Sequence, residues 1–149
     1  MKPLLLFLSV FFMILTVQSQ AKVITVDNRA NSGADYTSLS EAVSAAFVGD
    51  TIQIHPSATS YGNTGNVNKR LIFVGLGHNS ELSKDGEKAI LGNINFTGNS
   101  ANSIVTGLVF NAVTVSGPID VSNIKIINNS YVKIKRKNME RNAYEQETK

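Results

Sequence analysis

The acidic side chains are the first place to look for chemistry, because calcium sites and acid–base sites both depend on grouped carboxylates. None of the eight between residues 22 and 132 forms an Asp-Asp or Asp-X-Asp pair. Glu81, Asp85 and Glu87 share a polar stretch that could hold Ca²⁺, but a solvated charged loop explains them without a function. Glycoside hydrolysis needs converging carboxylates, and only Asp120 falls on a predicted late strand. The eight acids are Asp27, Asp35, Glu41, Asp50, Glu81, Asp85, Glu87 and Asp120.

Two histidines are the remaining candidates for a metal site. His55 and His78 each follow a predicted strand and are 23 residues apart, so they could stack on one face of a repeated structure. Protein zinc sites use three or four side-chain ligands, and no third ligand accompanies this pair. Positions at the ends of loops account for both histidines. The sequence therefore predicts no metal ion and no cofactor.

Cationic and aromatic side chains could instead contact a sugar. Lys69 and Arg70 could face an acidic sugar, although exposed loop charges account for them equally well. Tyr36 and Tyr61 could present rings for stacking on sugars, and we expect Tyr61 to fold back on the first strands. No catalytic, cofactor-binding or metal-binding residue is predicted, and we expect no enzymatic activity from this chain.

One amphipathic helix is predicted at about residues 38–47. Its apolar residues recur at helical spacing, so they line one face: Leu39, Ala42, Val43, Ala46 and Phe47. Ser38 and Glu41 have the spacing of a capping box, and Gly49 suits the end of a helix. Since no second strong helix is present, we expect this one to cover the end or side of a β structure.

Short apolar runs separated by Asn, Gly, Ser or Asp make up the rest of the body. The alternating pairs Ile52/Ile54, Ile72/Val74 and Ile94/Phe96 are offset by 20 and 22 residues, which favours a solenoid of stacked parallel strands. Residues 57–69 are predicted to be a surface loop. Asn residues suit left-handed corners and stacked ladders. A sandwich or jelly roll with Asn-rich turns is the alternative. Strands are predicted at 22–26, 52–54, 71–74, 89–91, 94–96, 104–110, 113–115, 119–121, 124–127 and 132–134.

The two ends of the chain differ from the body. Residues 1–21 are predicted to be a signal peptide, with Lys2, an apolar run over residues 4–17 and small residues before Lys22; an uncleaved anchor is the alternative. The absence of cysteine excludes lipid attachment to cysteine and disulfides. Residues 135–149 are predicted to be a disordered charged tail. The body over 22–132 has seven basic and eight acidic residues, which does not suit a nucleic-acid binder.

Two stretches resemble a known family: ADYTSLSEAVSAAFVGDTIQIHPSATSYGN (34–63) and KRLIFVGLGHN (69–79). They are similar to the N-terminal entry of right-handed parallel β-helix proteins, the pectate-lyase-like secreted proteins of bacteria. The resemblance implies an all-β fold, a right-handed parallel β-helix (solenoid) over residues 22–134, with an N-terminal capping α-helix. A lyase of this family needs clustered calcium-binding carboxylates and a facing Lys or Arg, and this sequence shows no such cluster.

The expected function is therefore an exported β-helix segment with a non-catalytic interaction or structural role. The expected partner is a polysaccharide, with no nucleic acid and no membrane after signal cleavage, and with self-association through an uncapped C-terminal end. The alternative is an N-terminal fragment of a polysaccharide lyase or glycoside hydrolase whose catalytic coils are missing. The expected location is secreted or at the cell surface, and the periplasm stays open.

Overall fold

A computed structural model describes residues 20–76, 87–116, 122–130 and, for the backbone, 134–137. These residues contain one helix, α1, and nine strands, and the chain is mostly β-strand. The predicted signal peptide before residue 20, the predicted strand at 119–121 and the chain beyond residue 137 lie outside the described residues. In chain order the elements are β1 (Val23–Val26), α1 (Leu39–Ala45), β2 (Thr51–Ile54), β3 (Asn66–Lys69), β4 (Ile72–Gly75), β5 (Ile90–Asn99), β6 (Ile104–Thr106), β7 (Val109–Ser116), β8 (Lys125–Ile127) and β9 (Ile134–Lys137).

The strands form two parallel sheets. Sheet A has the order β1-β2-β4-β6-β8, and sheet B has the order β3-β5-β7-β9. From β2 onward the chain therefore alternates between the sheets, and we call each consecutive pair (β2 with β3, β4 with β5, β6 with β7, β8 with β9) a layer. Every strand pairing in the described part of the chain is parallel. The alternative of a sandwich or jelly roll is wrong, because hairpin-connected strands would pair antiparallel.

The core lies between the sheets and consists of apolar rows that run from strand to strand. In sheet A, Ile52 is the register partner of Phe73, which is the partner of Val105. In sheet B, Val67 is the partner of Phe96. The Phe73 and Phe96 rings meet edge to face at 6.3 Å between centroids, which joins the rows of the two sheets. Each such buried side chain contributes about 1.5–3 kcal/mol.

Helix α1 is two residues shorter at its C-terminal end than predicted. The Ser38 hydroxyl accepts a hydrogen bond from the Glu41 N–H at 3.4 Å, so the predicted N-cap is confirmed. Leu39, Ala42 and Val43 are buried. The prediction that Phe47 belongs to the buried face is wrong, because the backbone turns extended at Ala46 (φ −64°, ψ 147°) and the helical spacing stops there.

Strand β3 was not predicted, because residues 57–69 read as a polar loop. A strand in a stack needs only one inward side chain, and Val67 supplies it with no exposed surface. The predicted repeat is also wrong in part: Ile52 and Ile72 lie in sheet A, whereas Ile94 lies in sheet B. Strand β9 continues to Lys137, three residues past the predicted boundary of the tail.

Asparagine occupies several left-handed corners, as predicted. Asn102 (φ 60°) and Asn123 (φ 54°) precede the sheet A strands of successive layers, and the Asn102 N–H donates to the Ser122 carbonyl at 3.0 Å. Gly107 (φ 70°) donates its N–H to the carbonyl of Asn128 (φ 53°) at 3.2 Å. Both pairs are 21 residues apart, so the last two described layers repeat with that period.

The outer edge of β1 is partly covered by the chain that follows it. The Asp35 carboxylate accepts from the Thr25 N–H and hydroxyl at 2.8 and 2.9 Å. The Tyr36 carbonyl accepts from the Asp27 N–H at 3.0 Å, and Tyr36 forms a parallel bridge with Val26. A strand whose edge groups are bonded in this way is a poor template for pairing with another chain.

Candidate functional site

The densest group of polar side chains lies where β1 and β2 end. Val26 and Ile54 are register partners in the last pair of these strands, so the residues that follow them leave the sheet side by side. Ligand sites on parallel sheets often form at the carboxyl ends of strands, so we treat this group as the candidate site. This carboxyl-end cluster consists of Asp27, Asn28, Arg29, His55, Ser57, Thr59 and Tyr61.

Asp27 is the buried charge of the cluster, with 2% of its surface exposed. The Arg29 guanidinium donates to both of its oxygens, with Nη2 to Oδ2 at 2.6 Å and Nε to Oδ1 at 2.9 Å. The Arg29 backbone N–H also donates to Oδ1, at 3.0 Å. The His55 ring nitrogen Nδ1 is 3.8 Å from Oδ2, which is too long for a hydrogen bond.

These contacts shift two acid–base equilibria in directions that discourage catalysis. The hydrogen bond from the Arg29 side chain is the main cause that lowers the pKa of Asp27 below its ordinary value, while burial opposes the shift. Burial is the main cause that raises the pKa of the Tyr61 hydroxyl. Asp27 is thus a weaker base than a free carboxylate, and the Tyr61 hydroxyl is a weaker acid than a free tyrosine.

The rest of the cluster ties two loops together. The Ser57 hydroxyl donates to Asn28 Oδ1 at 2.6 Å, and Asn28 Nδ2 donates to the Thr59 carbonyl and hydroxyl at 3.2 and 3.0 Å. The Tyr61 hydroxyl donates to the His55 carbonyl at 2.8 Å, so Tyr61 folds back on the first strands as predicted. The Asp27 oxygens, the Asn28 amide and the Ser57 hydroxyl all have partners inside the protein, which favours a structural latch over a reactive site.

The sequence-predicted candidates fall in different places. Lys69 Nζ donates to the carbonyls of Ala46 and Ser44, at 2.7 and 3.2 Å, so Lys69 binds the C-terminal end of α1 and does not serve as a free loop charge. Arg70 is exposed and lies over the turn that follows α1. Glu87 lies close enough to Arg29 to raise the pKa of that guanidinium, after the larger contribution of Asp27. His78, Glu81, Asp85 and Asp120 lie outside the described residues.

Sheet B presents a second candidate surface, on the side away from the core. In β5 and β7 outward residues alternate with the buried Ile94, Phe96 and Val113. Asn95 Nδ2 donates to Asn66 Oδ1 at 2.5 Å, and the Ser116 hydroxyl donates to Asn95 Oδ1 at 3.2 Å, so hydrogen bonds run across three strands. We call this surface the amide face and define it by Asn66, Asn93, Asn95, Thr97, Thr114 and Ser116.

Every residue of the amide face is neutral and carries a hydrogen-bonding group. Asn66, Asn95 and Thr114 are consecutive register partners, and Thr97 is the partner of Ser116. The polar groups therefore repeat at the strand spacing of about 4.8 Å and, along a strand, at about 6.6 Å. The predicted Asn ladder exists, but it lies on a sheet face as well as at corners.

Sequence reasoning missed Asp27, Arg29 and the amide face. Asp27 follows the last residue of β1 and His55 follows the last residue of β2, so aligning the two strand ends would have found the pair. The amide face could not be found without β3, whose Asn66 begins the row.

Within the described residues, no group of three or more His, Asp or Glu side chains could hold a metal ion. No helix in that part of the chain is long and apolar enough to cross a membrane. Comparisons of the chain with protein-family models, curated proteins and solved structures found no match. Function is therefore argued from the geometry of this chain alone.

Proposed function

We propose that the chain is an exported right-handed parallel β-helix with a non-catalytic role, and that it binds a polysaccharide through the amide face. The alternation of strands between two parallel sheets supports the β-helix. Helix α1 then acts as its cap, because the chain order puts α1 where the alternation would place a first strand of sheet B.

The observation that carries the proposal is the in-register row Asn66, Asn95, Thr114. Amides and hydroxyls both donate and accept hydrogen bonds, as sugar hydroxyls do. The groups repeat at the strand spacing of about 4.8 Å, and one pyranose unit advances an extended polysaccharide by a similar distance. An extended glycan lying across the strands would meet a new polar group at each sugar.

The saturated carboxyl-end cluster supports a non-catalytic role. The Asp27 carboxylate accepts four hydrogen bonds, all from Arg29, which leaves it poorly placed to accept a substrate proton. A lyase or hydrolase would in addition need grouped carboxylates, and the described residues contain no cluster of three potential metal ligands.

Affinity electrophoresis in gels containing soluble polysaccharides tests this proposal. We expect neutral glycans to retard the protein, and we expect Asn95→Ala with Thr114→Ala to weaken that retardation about tenfold or more, since two pairs of hydrogen bonds are lost. Gln53→Ala with Thr106→Ala, on the outer side of sheet A, is the matched control and should bind as wild type does. Circular dichroism must show that both variants are folded.

Two results would overturn the proposal. One is the absence of retardation by every glycan in a panel of β-linked and α-linked polymers. The other is an equal loss of binding in the sheet A control. A rise in ultraviolet absorbance on incubation with pectate, with or without Ca²⁺, would show an unsaturated product and would refute the non-catalytic role.

A further inference from the structure

The turn that follows α1 exposes two adjacent apolar side chains. Phe47 is 71% exposed and Val48 is 68% exposed, whereas the neighbouring Ala46 is buried. The turn is held in this conformation by Asp50, whose Oδ2 accepts from the Phe47 N–H at 2.7 Å and whose N–H donates to the Phe47 carbonyl at 3.1 Å. Since exposed apolar surface is costly, a fixed turn that presents Phe and Val to solvent points to a partner.

Two cations flank these apolar residues. The Lys22 backbone N–H donates to Asp50 Oδ1 at 2.8 Å, so Lys22 and Phe47 are bound to the same carboxylate. The Arg70 carbonyl accepts from the Gly49 N–H at 2.8 Å, and its guanidinium lies 2.9 Å from where a Cβ on Gly49 would stand. Lys22 and Arg70 are exposed, whereas Asp50 is only 2% exposed and both its oxygens accept backbone N–H groups.

The sequence next to this turn supplies an independent argument. The apolar run over residues 4–17 joins the described chain at Gln20, two residues before Lys22. If that segment is retained, it brings a bilayer to the turn. If it is removed after Ala21, it leaves a positively charged α-amino group on Lys22. Both cases place a membrane-associated or cationic element beside Phe47.

We propose that Lys22, Phe47, Val48 and Arg70 form a docking surface for an anionic phospholipid bilayer, which we call the basic tip. Phe47 and Val48 insert at the level of the headgroups, where aromatic and aliphatic side chains bind favourably. Lys22 and Arg70 contact lipid phosphates. The proposal replaces the expectation of no membrane contact after signal cleavage, and it does not rest on polysaccharide binding.

Because the chain has no tryptophan, a single Phe47→Trp substitution reports on the tip in the full-length protein. We expect its emission to shift to the blue on addition of vesicles of phosphatidylglycerol and phosphatidylcholine, and to be quenched by brominated acyl chains. Pure phosphatidylcholine vesicles should give much less quenching. Lys22→Gln with Arg70→Gln should weaken the tip's partitioning into anionic vesicles about 30-fold, given the usual contribution of each cation near a charged surface.

Ile127→Trp is the matched control, because Ile127 is a 46% exposed apolar residue on β8, the last strand of sheet A. Its emission should stay that of a water-exposed tryptophan even if the segment before residue 20 holds the protein on the vesicle. Unshifted and unquenched emission from Trp at position 47 would overturn the proposal. Equal quenching at both positions, or equal quenching in neutral and anionic vesicles, would also overturn it.

Discussion

Leu39 and Phe47 stand at the two ends of one predicted apolar stripe, and the structure assigns them opposite roles. Leu39 is 1% exposed in the core, and Phe47 lies in solvent. Replacing a buried leucine by alanine costs about 2–5 kcal/mol. Because α1 has seven residues and covers an end of the stack, its surroundings can relax, and we expect about 3 kcal/mol for Leu39→Ala. Phe47→Ala should change stability by less than about 0.5 kcal/mol.

Thermal unfolding followed by circular dichroism measures this difference. A domain of this size loses about 3–5 °C of Tm for each kcal/mol. We therefore expect Leu39→Ala to lower Tm by about 10 °C and Phe47→Ala to leave it within about 2 °C. An unchanged Tm in the Leu39 variant would refute the assignment of α1 as a cover of the core. A large loss in the Phe47 variant would show that the helix continues past Ala46.

Three further outcomes are expected. The folded-state pKa of Asp27 is lowered, so its stabilisation is present above the unfolded value near 4 and is lost as pH falls through the folded value; urea titrations should show a shallower acid loss in Asp27→Asn. Lys69→Met should cost about 1 kcal/mol in chemical denaturation, because two carbonyls of the helix end lose a charged donor. Gly75→Ala should lower Tm more than Gly33→Ala, since a Cβ at 75 would stand 2.2 Å from the Gly107 carbonyl oxygen, and one at 33 meets nothing within 4 Å.

The elements with strong local signals could be predicted from the sequence. Ser38 and the apolar spacing from Leu39 to Val43 define the start of α1, since capping and helical period act within a few residues. The strand VITV alternates between exposed and buried residues, as does TIQI, and they form β1 and β2. The end of α1 was missed because Phe47 continues the apolar spacing, and only the hydrogen bonds of Asp50 show that the chain has already turned.

Strand β3 had no local signal, and the error spread to the repeat. The sequence NVNK holds a single apolar residue, so its strand conformation depends on β5, which binds it along one edge. Once β3 is missing, the strands of the two sheets merge into one apparent series, and Ile94 is assigned to the row of Ile52 and Ile72. The contacts that distinguish the sheets join residues about 20 to 30 positions apart, which no short sequence window contains.

The candidate site was hidden for the same physical reason. Arg29 and Asp27 look like ordinary loop charges until the register of β1 with β2 brings His55 and Tyr61 beside them. The amide face likewise depends on three strands being in register. Residue types alone suggested sugar contact through Lys69, Arg70 and tyrosines, whereas the geometry favours uncharged amides.

The two sheets do not continue equally at the far end of the stack. In sheet A the inward row runs from Ile52 through Phe73 and Val105 to Ile126 and is apolar throughout. In sheet B the row of Phe96 and Val115 has Arg136 as its next register partner. A charged residue type in an apolar row limits further stacking, because an unpaired charge is expensive to bury. End-to-end association of two copies would therefore have to be driven by sheet A, while sheet B opposes it.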